Sequence, residues 1–319
     1  MFALIVGAPF AGARAIESLN LSHDPTHLFN IMNTRSSPRF LTLTNAAAPA
    51  VPDAAPAAAD ASPAFAADAR AFAGQLSSLY TLSHRSDYVF GSPLGPFYHR
   101  AHSLHIPRFV YFGPDSHDES LRLAFHAGFE SADLRGSLAL LHLVGGLARA
   151  PDLGQGLNLS FFPLVDVAGL FHGAGDRGLS RAAWRHSRVP ELDLLQKDAR
   201  ARGYHGFVRI ETGRDFDGIA VRLRDHAADG DDVSTTGVEL VNSAAFEPLP
   251  VRWEAVADPG APVLDGPLTI GDDLPFRAFE LTLLVPDAWD SATCSEAVAT
   301  VLKRFIVHYR GHHAYGLHL

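Results

Sequence analysis

The chain holds 17 histidines, and histidine is both the commonest metal ligand and the usual proton carrier near neutral pH. His126 ends an apolar run, and His99, His102 and His105 form a loop cluster before it. A pair of metal ligands could be chosen from these four side chains. A histidine at a strand end is commonly a satisfied polar group of the core or the surface, however, and we favour that interpretation for His126.

The motifs of a serine nucleophile elbow and of a P-loop are absent from the sequence. It contains no Gly-x-Ser-x-Gly turn and no Gly-x-x-x-x-Gly-Lys loop. The single cysteine, Cys294, falls in a predicted amphipathic helix with no histidine near it in sequence. One cysteine also excludes an internal disulfide and a cysteine-rich zinc cluster.

Five apolar runs predict buried strands, and three amphipathic stretches predict helices. The strands are expected at 108–112, 121–126, 157–162, 207–210 and 279–285, and the helices at 132–147, 189–202 and 294–309. Alternation of the two predicts a three-layer α/β/α domain with a mixed, mainly parallel twisted sheet. Ligands of such sheets bind beyond the carboxyl ends of the strands, so the residues that follow each strand are the candidates for a site.

The N-terminal 70 residues differ in composition from the rest of the chain. Residues 46–70 are almost entirely Ala, Pro, Asp and Ser, with too many prolines for a helix interior and side chains too small for a core. Residues 11–45 show no sustained period and are either a small appended element or part of the same tail. We therefore predict an N-terminal segment over 1–70, with a flexible stretch at 46–70, and one folded domain over 71–319.

Four segments near the predicted strand ends stand in an informative order and spacing. They are residues 127–136 (AGFESADLRG), 162–169 (FPLVDVAG), 178–184 (GLSRAAW) and 184–191 (WRHSRVPE). In order and spacing they resemble the zinc carboxypeptidases of the M14 type. The corresponding family motifs are Gly-x-His-Gly-x-Glu before a helix, Asn-Pro-x-Gly, Asp-Leu-Asn-Arg-x-Phe and Trp-x-x-Ser-x-x-Pro-Glu. The resemblance implies that the fold extends over residues 105–310.

The resemblance also implies which residues stand at the metal-ligand positions of the family. Glu130 and Asp133 replace its first His and its Glu, and Glu211 replaces its second His. A catalytic zinc is usually held by imidazoles with a carboxylate, so we expect no zinc site here. Three carboxylates converging on one point would repel one another. They imply a hard cation such as Mg²⁺, Mn²⁺ or Ca²⁺, hydrogen-bond partners such as Arg135 and Arg209, or a site open to water.

The general base of the family is a Glu on a late strand, and two alignments of that strand are possible. Thr282 to Pro286 fits the form Thr-x-Glu-x-Pro and places Leu284, which cannot move a proton, at the base position. Phe279 to Leu281 fits the form Phe-Glu-Leu and makes Glu280 the base. We favour Leu284, because Pro286 and the helix that follows both fit that frame. Residues four apart in a strand share a face, so alternation does not separate the two.

Substrate contacts are implied at two further positions. Arg181 matches the family arginine that contacts the substrate carboxylate, a role suited to the planar guanidinium fork. Asp166 lies at the end of another predicted strand, in the segment that resembles Asn-Pro-x-Gly. The ordinary alternative for Arg181 is a surface arginine in an ion pair, and that for Glu130, Asp133 and Glu211 is a set of strand-end and helix N-terminal acids.

Composition limits the partners. There are 26 Lys and Arg against 35 Asp and Glu, a formal net charge of −9, which gives no basic field for a nucleic acid backbone. Charged residues or prolines interrupt every apolar run before it reaches the roughly 20 residues of a membrane span. The apolar start carries no Lys or Arg before its apolar run and is a weak signal-peptide candidate. We expect a cytoplasmic protein without a nucleic acid or membrane partner.

Two functions follow as hypotheses. The first is a carboxypeptidase-like protein that has lost zinc-dependent hydrolysis, needs no cofactor and binds a small carboxylate or a peptide terminus. The second is an active hydrolase, a carboxypeptidase or an N-acyl amino-acid deacylase, with an oxygen-ligated metal at Glu130, Asp133 and Glu211. In the second hypothesis Glu280 is the base and Arg181 holds the substrate carboxylate.

Overall fold

A computed structural model of the chain describes residues 63–100, 102–118, 120–172, 189–213, 218–224, 251–253 and 279–316. Along these residues the helices are α1 (Pro63–Ser83), α2 (Arg135–Arg149), α3 (Val167–His172), α4 (Pro190–Arg202) and α5 (Ser291–Gly316). The strands are β1 (Val89–Gly91), β2 (Leu94–His99), β3 (His102–Ile106), β4 (Phe109–Phe112), β5 (Leu121–His126), β6 (Leu157–Phe162), β7 (Gly206–Gly213), β8 (Ile219–Arg224), β9 (Val251–Trp253) and β10 (Phe279–Pro286).

Eight of the strands form one mixed sheet in the order β1-β4-β6-β5-β7-β10-β8-β9. The central neighbours β6, β5, β7 and β10 run parallel, and so do β8 and β9 at the edge. The pairs β1–β4, β4–β6 and β10–β8 are antiparallel. β2 and β3 make a separate antiparallel hairpin. The predicted α/β class with a mixed sheet flanked by helices is confirmed, and the parallel centre brings four carboxyl strand ends to one edge.

Helices cover the apolar side chains that the central strands present on one face of the sheet. Phe125 of β5 stacks on Phe161 of β6, with ring centroids 4.9 Å apart. α2 contacts β6 and β7, and α1 and α5 both pack against α2. A Cβ added to Gly136 would lie 3.0 Å from Cγ2 of Ile210, so the start of α2 sits directly on β7. This contact fixes the beginning of α2 at the carboxyl edge.

Asp198 of α4 anchors a buried polar network. Its Oδ2 accepts a hydrogen bond from the Tyr204 hydroxyl at 2.7 Å, and its Oδ1 accepts from Arg202 Nε at 3.2 Å and from Arg108 Nη1. The Arg108 guanidinium also donates to the carbonyl and the hydroxyl of Ser92, both at 2.6 Å. The network links α4 to the sheet and to the β1–β2 loop.

Replacing Tyr204 by phenylalanine is expected to lower the free energy of unfolding by about 1–2 kcal/mol, because a hydrogen bond to a buried charged group is lost. Burial, with the charge of Asp198, raises the pKa of Tyr204 and keeps its hydroxyl protonated as a donor. Urea denaturation at neutral pH measures the change. Tyr98→Phe is the matched control, since Tyr98 is 73% exposed. Equal stability of the two variants would contradict the account.

Helix α1 corrects the predicted boundary at residue 70. It begins at Pro63, a position that tolerates proline because a first-turn N–H has no partner within the helix. Phe72, Leu76 and Leu79 form a buried stripe at helical spacing. Asp68 also accepts a hydrogen bond from Ser291 at 2.6 Å. Residues 63–70 are therefore helical rather than flexible, and residues 1–62 lie outside the described part of the chain.

The other predicted elements agree closely with the observed ones. The strands expected at 121–126 and 157–162 have the bounds of β5 and β6, and the helix expected at 189–202 is α4. The helices expected at 132–147 and 294–309 correspond to α2 and α5, with the ends moved by two to seven residues. Within the ranges that the structure describes, no helix is long and apolar enough to cross a bilayer.

Candidate functional site

Two loops meet at the carboxyl edge of the central strands, one after β5 and one after β6. The backbone N–H of Asp166 donates to the carbonyl of Gly128 at 2.8 Å. Gly128 has φ of +67°, and a Cβ there would lie 2.7 Å from Ser137 Oγ and 3.0 Å from Leu164 Cα. Only glycine fits this left-handed, crowded position. The loop that carries Glu130 and Asp133 is thus held tightly at its start.

Asp133 is fully engaged by Arg135. Its Oδ1 accepts from the backbone N–H and from Nε of Arg135 at 3.0 and 2.9 Å, and its Oδ2 accepts from Nη2 at 2.7 Å. Nη1 of Arg135 donates in turn to the carbonyls of Asp287 and Trp289 at 2.6 and 3.1 Å. The pair therefore ties the start of α2 to the turn between β10 and α5.

The charge of Asp133 is stabilised in this setting. Burial alone would raise the pKa of Asp133, but hydrogen bonds from Arg135 and from the Thr212 side chain outweigh it and hold that pKa below its ordinary value. The hydrogen bonds between the two side chains also raise the pKa of Arg135. Asp133 is consequently a carboxylate whose negative charge is already balanced by the chain.

Glu211 is balanced by a second arginine. Nη2 of Arg209 forms an ion pair with Glu211 Oε1, and the two side chains are 7% and 18% exposed. The guanidinium carbon of Arg209 lies 4.1 Å from the ring centroid of Phe129, within the range of a cation–π contact. Phe129 precedes Glu130 in the loop after β5. Arg209 thus stands between that loop and Glu211.

Glu130, Asp133 and Glu211 lie in three different surroundings. Glu130 is exposed. Asp133 contacts Thr212, whereas Glu211 shares its face of β7 with Arg209, and neighbouring residues of a strand point to opposite faces. The three acids accordingly form no cluster that could hold a metal ion. The alternative of arginine partners, Arg135 for Asp133 and Arg209 for Glu211, is confirmed.

His126 is a core residue beside Arg209. Its ring stacks on Phe162 at 4.8 Å with 4° between the planes, and it pairs in register with Arg209. Burial, together with the charge of Arg209, lowers the pKa of His126 to about 3 despite a hydrogen bond to the backbone of Val208. The imidazole is neutral at pH 7, in agreement with the interpretation of His126 as a satisfied core group.

The strand register separates the two candidate base positions. Leu284 pairs with Glu211 near the carboxyl ends of β10 and β7, and Glu280 pairs with Phe207 near their beginnings. Four residues of strand are about 13 Å. Both side chains are buried and occupy one face, as alternation predicts. The carboxyl edge therefore presents a leucine beside Glu211.

Asp166 has a structural role. It has no exposed surface, and its Oδ1 accepts a hydrogen bond from the backbone N–H of Gly169 at 2.9 Å in the first turn of α3. A Cβ on Gly169 would collide with this carboxylate and would lie 2.6 Å from Ser131 Oγ. These contacts make the acid a local anchor for the start of α3, and its predicted contact with substrate stays a prediction.

Arg181 lies outside the described residues, as does the whole segment 178–184 that carries the resemblance around it. Its predicted contact with a carboxylate stays a prediction. The segment 184–191 is described only from Val189, where Pro190 begins α4 and Glu191 is fully buried.

The role of Phe129 is the part of the site that sequence reasoning missed. The sequence does indicate the pairing of Arg209 with Glu211, because residues two apart in a strand share a face. The ring of Phe129 reaches Arg209 from a loop, and the position of a loop side chain follows from tertiary packing rather than from periodicity.

Comparison with known proteins addresses the fold. No protein-family model and no curated protein matches the sequence. A metallo-carboxypeptidase from Burkholderia cenocepacia superposes with a TM-score of 0.56 at 17% identity, over 75% of this chain and 68% of that one. Carboxypeptidase A from Helicoverpa armigera gives 0.52 at 12% identity, over 77% and 72% of the two chains.

A third structure was solved with a ligand. It is a metallo-carboxypeptidase from Pseudomonas aeruginosa in complex with (2-guanidinoethylmercapto)succinic acid, with a TM-score of 0.50 at 16% identity, over 72% of this chain and 67% of that one. Structural similarity at such low sequence identity shows that the backbones share a fold. With the sheet order, it shows that this chain has a carboxypeptidase-like fold.

Proposed function

We propose that this chain is a metallo-carboxypeptidase-fold protein that does not hydrolyse peptides through zinc and that binds a small carboxylate or a peptide terminus at the carboxyl edge of β5, β7 and β10. One observation carries the proposal: two acids at the implied metal-ligand positions are already paired with arginines of the chain, Asp133 with Arg135 and Glu211 with Arg209.

The residues at the implied ligand positions do not fit a zinc ion. Zinc takes lone pairs from imidazoles and carboxylates arranged around one point. Both oxygens of Asp133 accept hydrogen bonds from Arg135, Glu211 is ion-paired with Arg209, and Glu130 is exposed. Binding a cation at these acids would require two ion pairs to break. Leu284 beside Glu211 further leaves that position without a group that can take a proton from water.

A carboxylate is the ligand class that we infer for the edge. The Pseudomonas aeruginosa relative of this fold holds a succinic acid derivative, and Arg181 corresponds by resemblance to a carboxylate-binding arginine. A net charge of −9 disfavours unspecific uptake of anions. Selective binding then depends on the guanidinium of Arg181, which can offer two parallel N–H donors to one carboxylate.

An active hydrolase with an oxygen-ligated metal is the second candidate. It needs Glu280 as the base, and this acid lies about 13 Å along the strand from the level of Glu211. The observations therefore favour the binding protein.

Loss of binding in Arg181→Ala is the expected result that tests the proposal. Thermal-shift screening of succinate, N-acyl amino acids and dipeptides should identify a stabilising carboxylate. Its affinity is expected to fall about 10- to 100-fold in the variant, because hydrogen bonds to a charged group are removed. Arg200→Ala, an exposed arginine on α4, is the matched control. Unchanged affinity in Arg181→Ala, or no carboxylate that binds, would overturn the proposal.

A further inference from the structure

The tip of the β2–β3 hairpin places two histidines directly opposite each other. His99 ends β2 and His102 begins β3, and the two are register partners. Arg100, in the intervening turn, has φ of +53°, the left-handed conformation typical of two-residue hairpin loops. The turn therefore fixes the register that brings the two histidines together.

Both imidazoles extend from the same side of the hairpin. Directly opposed residues of antiparallel strands share a face, with Cβ atoms about 4.5–5.5 Å apart. Alternation along the strands puts Phe97 and Leu104, which are buried, on this same face. The pair thus stands where the apolar inner face of the hairpin reaches solvent: His99 is half-buried and His102 is exposed.

A neighbouring helix restricts one of the two rings. The His102 ring lies 4.4 Å from the ring of Phe171 in α3, with 57° between the planes. This packing reduces the rotamer freedom that His102 would lose on binding a ligand. The pair lies at the tip of the hairpin, where the exposed His102 reaches solvent.

We propose that His99 and His102 form a two-histidine binding site for a late first-row divalent metal ion, namely Cu²⁺, Ni²⁺ or Zn²⁺. Imidazole nitrogens bind these ions at about 2.0–2.1 Å, so two nitrogens on one ion are roughly 3.3 Å apart. Side chains that start 4.5–5.5 Å apart can reach that separation. Water fills the remaining positions, and the affinity order of such ions places Cu²⁺ first.

Calorimetric titration of the purified full chain with each ion tests the proposal. A His312→Ala/His313→Ala background removes the other adjacent histidines at the C-terminal end of the sequence. One ion per chain is expected. Substitution of either His99 or His102 by alanine should weaken binding about 100-fold or more, because the second ligand acts at a high effective concentration. His84→Ala, which replaces an exposed histidine just after α1, should bind as the background does.

Two further measurements keep the result decisive. His99→Gln and His102→Gln keep a polar side chain at the hairpin tip, and their thermal unfolding checks that the fold is intact. Electron paramagnetic resonance of bound Cu²⁺ should give coupling to two nitrogens in the background and to one in each variant. The proposal is overturned if the metal affinity is unchanged in both single variants, or if the background protein binds no metal. Carboxylate binding by the same variants reports separately on the Arg181 site.

Discussion

Arg135→Met is expected to lower the free energy of unfolding by about 3 kcal/mol, since removing one partner of a largely buried ion pair leaves the other charge uncompensated. The Arg135 and Asp133 side chains are 17% and 19% exposed, so water offsets only part of the loss. The carbonyls of Asp287 and Trp289 lose a donor in the same step. Urea denaturation at neutral pH measures the difference.

The effect of Arg135→Met should depend on pH. In the native chain the folded-state pKa of Asp133 lies below its ordinary value. The resulting stabilisation is complete above about pH 4 and is lost as the pH falls through the folded-state value. Without Arg135, burial raises the pKa of Asp133. Lowering the pH then protonates Asp133, which removes the uncompensated charge and reduces the destabilisation of the variant. The difference in stability is therefore expected to narrow between neutral pH and about pH 4.5.

Arg149→Met is the matched control for this prediction. Arg149 is exposed in the last turn of the same helix, so its replacement should change stability by no more than about 0.5 kcal/mol. If Arg135→Met were no more destabilised than Arg149→Met, the ion pair would not have the structural role assigned to it.

Arg209→Met is expected to cost about 3 kcal/mol for a related reason. The substitution leaves Glu211 without its cation and removes the cation–π contact with Phe129. Replacing both members of the pair, in Arg209→Met/Glu211→Leu, should recover most of the loss, because well-packed apolar residues commonly substitute for a buried ion pair. Chemical denaturation of the two single variants and the double variant gives the coupling energy.

The acid on the loop supplies the control for the Arg209 series. Glu130 is exposed, and Glu130→Gln should leave stability unchanged within about 0.5 kcal/mol. Strictly additive effects of the Arg209 and Glu211 substitutions would mean that the two side chains do not stabilise each other. The pairing of Arg209 with Glu211 would then not stabilise the fold as proposed.

The elements of the fold could be predicted wherever the pattern of burial repeats along the chain. β5 and β6 are continuous apolar runs, and their predicted bounds are the observed ones. The sequence does not predict helix α1, because small side chains are frequent in it, although Phe72, Leu76 and Leu79 have helical spacing. Small side chains conceal a helix whose contact with the core rests on three large ones.

The site was harder to predict because it depends on which face each residue occupies. Family likeness places Asp133 and Glu211 at positions that converge in a metalloenzyme. In this chain Thr212, and not Glu211, shares the face that meets Asp133. The partner arginines could be named because they lie two residues from their acids, within reach along a strand or a loop. The aromatic contact of Phe129 needed the tertiary structure.

The most direct test of the central claim is hydrolysis of a panel of dipeptides and N-acyl amino acids by the purified chain, with Zn²⁺, Mn²⁺ or Mg²⁺ supplied in turn. The measurement is repeated on Glu280→Gln, and on His99→Ala to remove metal bound at the hairpin. We predict a rate equal to that of the protein-free blank for all three proteins. Saturable, metal-dependent turnover that falls in Glu280→Gln would contradict the account and establish the hydrolase instead.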